Sequence, residues 1–182
     1  MADDKAERIL AAAGDLFLRN GLRGTSMEAI AKAARIAKPT LYAYFGDKDA
    51  VFAELVERLA ADWREAFLDG LRSDGDVVAR VGAALTNKYK AAMRLLQGSP
   101  HAAELTGEHE RSAAKAMGAL EAEFAAAIER ELVVAGVVRA RLITQLLMAA
   151  VSGVGAKVQS VVELGPAIRL LTERIVGPEL KR

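Results

Sequence analysis

Apolar residues recur at helical spacing from the start of the chain. Ile9, Leu10, Ala13, Leu16 and Phe17 place one apolar stripe on a helix from about Lys5 to Arg19. Asn20-Gly21 supplies its stop. Thr25 followed three residues later by Glu28 fits a capping box, with the Thr oxygen on an orphan amide and the Glu reaching back. Met27, Ile30, Ala31 and Ala34 then share one face of a short second helix. Residues 35–37 interrupt it, and a third helix, about Lys38 to Phe45, begins at once. Two short helices parted by three residues and preceded by a longer one have the outline of a helix-turn-helix.

The third helix has two unlike faces. Leu41 and Phe45 lie four apart and should pack on the first two helices. At 100° per residue the opposite face carries Pro39, Thr40 and Ala43. Tyr42 and Tyr44 stand on its shoulders, with Lys38 near Tyr42. A tyrosine there is stiff and tipped with a hydroxyl, so it can reach a phosphate or a base edge at low entropic cost.

The pattern continues with little but helix. A fourth helix, with Asp47 as N-cap, runs through Phe52, Leu55, Val56, Leu59, Trp63 and Phe67 to about Leu71. Its length is roughly 35 Å. Further helices are predicted at about Asp76–Leu96, His101–Leu105, Glu108–Val134, Val138–Leu164 and Pro166–Val176, jointed at "QGSP", "AGV" and "LGP". No strand, repeat or low-complexity tract is visible. The reading is an all-α protein with an N-terminal three-helix unit, 1–50, and a C-terminal helical domain, 51–182.

Composition sharpens this picture in three ways. The chain has 182 residues and no cysteine, which removes a disulfide framework or a thiolate metal site. Its formal net charge is +1, yet between Arg19 and Lys48 six basic residues face two acidic ones, Glu28 and Asp47. Basic character is thus local, as a nucleic-acid contact needs. The most apolar stretch, Leu142 to Ala156, is too short for the roughly 20 residues of a membrane span, and the N-terminus lacks the basic and apolar regions of a secretory leader. A cytoplasmic location is the expectation.

The string "TSMEAIAKAARIAKPTLYAYFGDKDAVF", with the preceding helix and Gly21, resembles the DNA-binding region of TetR-family transcriptional regulators. The detailed match covers about residues 5–55. The resemblance implies that Thr25 and Ser26 face a phosphate at the second helix N-terminus. It implies that Lys38, Pro39, Tyr42 and Ala43 approach base edges in the major groove. Thr40, Tyr44 and Lys48 would hold phosphates. Three residues depart from the family pattern: Arg35 where Gly is common, Ala37 where a capping Ser is common, and Pro39 for a frequent Gly. A positive φ at Arg35 would cost roughly 1–3 kcal/mol.

Trp63, Phe67, Tyr89, Met93, Met117, Phe124 and Met148 are candidates to line a small-molecule cavity, although at helical spacing each is more often plain core. Gln97 and Gln145 are candidate polar handles, and Gln145 fits a dimer contact as well. His101 and His109, with Glu104 and Glu108, lack metal-binding spacing and read as surface residues. No catalytic constellation, metal site or cofactor is implied. "MAAVSGVGAKV" is rich in small residues, and Ile168, Leu171 and Ile175 form a stripe. The resemblance suggests that the last two helices make a homodimer. The functional expectation is a ligand-responsive regulator, most simply a repressor. It would bind palindromic double-stranded DNA as a dimer and be released by a small molecule. The alternative is a DNA-binding regulator controlled by a protein partner.

Overall fold

The computed structural model describes residues 2–106, 111–158 and 160–180. Among the described residues there are nine α-helices and no strand: α1 Ala2–Gly24, α2 Met27–Ala33, α3 Lys38–Tyr44, α4 Lys48–Leu71, α5 Val77–Leu96, α6 Ala102–Thr106, α7 Arg111–Val134, α8 Ala140–Lys157 and α9 Val161–Leu180. The residues group into two compact units, Met1–Ala60 with Gly98–Gly118 and Ala61–Gln97 with Ala119–Arg182. The boundary expected at residue 50 falls inside α4, which is unbroken there. The first turns of α4 belong to the first unit because Phe52 meets Phe17 of α1 edge-on, 5.5 Å between ring centroids.

The first unit is built as its apolar stripes require. Ile9, Leu10, Ala13 and Phe17 of α1 are buried with Ile30 of α2, Leu41 of α3 and Val51, Phe52 and Val56 of α4. Leu16 of the expected stripe is only half-buried. At Gly21 the backbone takes φ 72°, ψ 169°, which kinks α1 at the predicted stop. A Cβ there would lie 2.7 Å from the His101 ring. Gly21 is therefore required twice, by conformation and by space.

The second unit packs α9 against α5 and α8. Its core includes Phe67 and Phe124, stacked with centroids 4.2 Å apart, and Leu85, Ile128, Leu147 and Ile168. The last joint differs from the sequence prediction. The break lies between Lys157 and Val161, not at Gly165-Pro166. Ser160 supplies the start of α9. Its hydroxyl accepts from the Val162 amide at 3.2 Å and its carbonyl from Leu164 at 3.0 Å. Pro166 sits inside α9, early enough that only the Val162 carbonyl loses a partner.

The departure at Arg35 is a real one. Its φ is 54°, the one positive value at a non-glycine among the described residues. A side chain in this region costs about 1–2 kcal/mol. Part of that gain is returned when glycine loosens the unfolded chain. Arg35→Gly is accordingly expected to stabilise the protein by about 1 kcal/mol, a rise of about 2–4 °C in Tm. Thermal unfolding of the two chains checks this; a lower Tm in the variant would mean that the Arg35 side chain contributes more than its backbone costs.

Candidate nucleic-acid interface

Two faces of α3 are separated as its sequence demands. Leu41 is 0% exposed, whereas Tyr42 is 45% and Tyr44 37% exposed. Pro39 and Ala43 are also exposed, and Thr40 is half-buried. Ala37 is the N-cap and offers no side-chain hydrogen bond, so the helix start rests on Pro39 in its first turn. Phe45, expected inward with Leu41, is half-buried because the helix has ended there, at φ −136°.

Lys38 opens this helix and is not a loose cation. Its ammonium pairs with the Glu28 carboxylate of α2 and lies 6.0 Å from the centroid of the Tyr42 ring. The hydrogen bond from Lys38, and then its charge, hold the Glu28 carboxyl below its ordinary value; the same contact raises Lys38.

The capping pattern expected at Thr25 and Glu28 is displaced by one residue. Ser26 is the N-cap, accepting from the Ala29 amide at 3.2 Å. Thr25 is 3% exposed and donates its hydroxyl to the Gly21 carbonyl at 2.8 Å. Its side chain is thus an internal tie across the α1 kink and cannot face a phosphate. Glu28 reaches Lys38 instead of turning back on its own helix. The exposed Ser26 hydroxyl remains at the α2 N-terminus.

Lys48 also does something other than expected. Its ammonium donates to the carbonyls of Leu22 at 2.8 Å and Thr25 at 3.3 Å. Two of its three N–H groups are therefore spent on fixing the α1–α2 connection to the start of α4. Asp47 caps that start by accepting from Ala50 at 2.8 Å.

Sequence reasoning missed three supports of this head. Arg8 of α1 donates to the Ala34 carbonyl at 2.9 Å and to that of Arg35 at 3.4 Å, so it fastens the turn between α2 and α3. Glu104 accepts from the Leu22 amide at 2.7 Å and pairs with His101 at 2.8 Å. Ser99 donates to the Leu18 carbonyl at 2.7 Å. His101 is thus half-buried against α1, not a surface residue; His109 and Glu108 lie outside the described residues. No periodicity marks the bonds of Arg8, Glu104 and Ser99 to the backbone, because each joins a polar side chain to a group far away in sequence.

The residues expected to line a cavity are divided. Trp63, Phe67 and Phe124 are core of the second unit; Tyr89, Met93 and Met148 are half-buried there. Met117 is buried but belongs to the first unit. Gln97 is the exposed C-cap of α5, and Gln145 faces out from α8, so neither is an inward handle. Among the described residues the buried charged side chain of this unit is instead Lys88, which the sequence reading overlooked. It pairs with Glu121 and lies 3.9 Å from the centroid of the Tyr89 ring. Burial, and then the Glu121 charge, push the Tyr89 phenol up to about 12, partly offset by a hydrogen bond with Ser152. Among the described residues no group of three His, Asp or Glu side chains could hold a metal ion, and no helix is long and apolar enough to cross a membrane.

A short helix seated by one leucine, its polar rings outward, behind a capped helix and a tight turn, is a helix-turn-helix head. Residues 9–55 match the family described as bacterial regulatory proteins, tetR family. Over 97 residues the chain is 34% identical to an HTH-type transcriptional regulator of Haemophilus influenzae, covering 53% of this chain and 50% of that one. It is 33% identical to the Escherichia coli regulator RutR over 116 residues, 57% and 54% of the two chains. The chain thus spans about half the length of these curated relatives. A Rhodococcus transcriptional regulator superposes with TM-score 0.75 at 20% identity, over 95% of this chain and 96% of the other. A TetR/AcrR regulator of Thermobifida fusca does so with TM-score 0.74 at 24% identity, over 93% and 97%. At such identity these two likenesses speak for the fold alone. Residues 9–55 therefore carry the DNA-binding region of the tetR family. The Haemophilus influenzae and Escherichia coli relatives are transcriptional regulators.

Proposed function

We propose that the chain binds a two-fold-symmetric DNA site as a homodimer, with α3 in the major groove, and that a small molecule held by the second unit releases it. The observation that carries this reading is the outward set of Tyr42, Tyr44, Pro39 and Ala43 over a buried Leu41. Pro39 and Ala43 can give apolar contact to a thymine methyl, and Tyr42 and Lys38 can offer donors to base edges. Ser26, Thr40 and Tyr44 would hold phosphates. Repression follows most simply, since a dimer seated on a promoter blocks it.

The second unit supports the dimer. Leu142, Leu146, Ala149, Gly153 and Ala156 are exposed along α8 at steps of three and four residues, and Val138, 96% exposed, stands just before the helix. They form one stripe of apolar and small side chains, joined by the outward Leu170 on the neighbouring α9. Such a stripe suits close helix–helix packing with a second copy. One short reading helix binds weakly alone, whereas two on a common axis read half-sites a turn or more apart.

For control, a ligand must bind the DNA-competent and incompetent conformers differently, by a few kcal/mol. Buried Lys88, paired with Glu121 beside the Tyr89 ring, gives the second unit a charge that changes partners on binding. Helices α4 and α7 each carry residues of both units and are covalent routes between them. Selecting bound duplexes from a random pool tests the reading. The expected outcome is an inverted repeat holding two chains; recovery of no preferred sequence would overturn it.

A further inference from the structure

Between Arg19 and Lys48, where six residues are basic and two acidic, one carboxylate caps nothing. Arg23, Lys32, Arg35 and Lys38 are exposed there. Of the two acids between Arg19 and Lys48, Asp47 is committed to the α4 cap. Glu28 is exposed, and its carboxylate meets the Lys38 ammonium at the first residue of α3. Lys38 in turn lies beside the Tyr42 ring. An acid placed there works against the attraction that draws any duplex to the protein. Its cost must be offset by something it does for the right duplex.

We infer that Glu28 is a specificity-determining, positioning residue that acts through Lys38. This rests on the reading that α3 docks against base edges. An untethered lysine is a flexible point charge that any phosphate within reach can satisfy. Paired with Glu28, its charge is largely cancelled beyond a few Å, so the phosphate lattice gains little from it. The pair still leaves two N–H donors on Lys38, held beside Tyr42. These can be taken up by adjacent acceptors on a guanine edge. Glu28 thus lowers affinity for random duplex while keeping the base-reading donors of Lys38 in register.

The test compares the wild-type chain with Glu28→Gln, Lys38→Met and the double variant, on the selected duplex and on random duplex, from about 50 to about 200 mM salt. Glu28→Gln is expected to tighten random duplex about 3–10-fold and to steepen its log–log salt slope by about 1. The selected duplex should tighten much less, so the ratio of the two affinities falls. In the double variant the random-duplex affinity and slope return near wild type, because Glu28 has lost the group it acts through. The melting temperature should stay within about 2 °C, as exposed ion pairs contribute little to stability. Equal gains on both duplexes, or an unchanged slope, would overturn the inference while leaving the DNA-reading assignment intact. A wild-type chain that prefers no duplex would overturn that assignment, and this inference with it.

Discussion

Gly70→Ala is expected to destabilise the protein by about 3 kcal/mol, lowering Tm by about 6–12 °C. Gly70 lies on α4 in the second unit, where α5 crosses it without an intervening side chain. A Cβ built there would stand 2.3 Å from both Cα and N of Ala84 and 2.5 Å from the Ala83 carbonyl carbon. Carbon atoms normally rest about 3.5–4.0 Å apart. The obstructing atoms are backbone, so no rotamer change clears them, and the two helices would have to part. That loss extends along the interface, which is why the upper end of the usual overpacking range applies. Alanine also returns about 1 kcal/mol through helix propensity, already counted in this figure. Gly118→Ala on α7 is the control: open space surrounds that position, so only the propensity gain remains and Tm should rise slightly. Thermal melts of the three chains decide it. A Gly70→Ala chain melting at or above wild type would mean that α4 and α5 do not approach as described.

The second large effect is on recognition and leaves stability nearly alone. Tyr42→Ala removes a half-exposed ring that contributes little to the core, so its Tm should move by less than about 2 °C. On a selected duplex it removes a rigid donor and the surface beside Lys38. Losing one specific base contact costs about 1–3 kcal/mol, or about 5–150-fold in affinity. Random duplex is held by phosphates, to which Tyr42 adds no charge, and should lose less than about 3-fold.

Much of this fold was legible because it is helical. A stripe such as Ile9, Leu10, Ala13 and Phe17 declares both an element and its buried face. The same logic placed Leu41 inward and Tyr42 outward, and that division is the heart of the candidate site. Periodicity gave no warning that Lys48 bonds two carbonyls, that Arg8 fastens the turn, or that Thr25 is an internal tie. Polar side chains carry no pattern that names a partner, whether it lies four residues away, as for Thr25, or more than twenty, as for Arg8 and Lys48. The α8–α9 joint was misplaced for a related reason. Pro166 is a loud local signal, but a proline in an early turn loses only one hydrogen bond. The weaker Ser160 signal set the true start. Gln97 and Gln145 were read as inward handles because amides on apolar helices need partners. The helices turn these two residues outward instead.

The central claim is that the outward face of α3 reads base edges. Its most direct measurement is the ratio of affinities for selected and random duplex, taken for the wild-type and Tyr42→Ala chains at one salt concentration. The ratio should fall at least about 5-fold in the variant, almost wholly through the selected duplex. Equal loss on both duplexes would contradict it and reduce Tyr42 to a backbone contact.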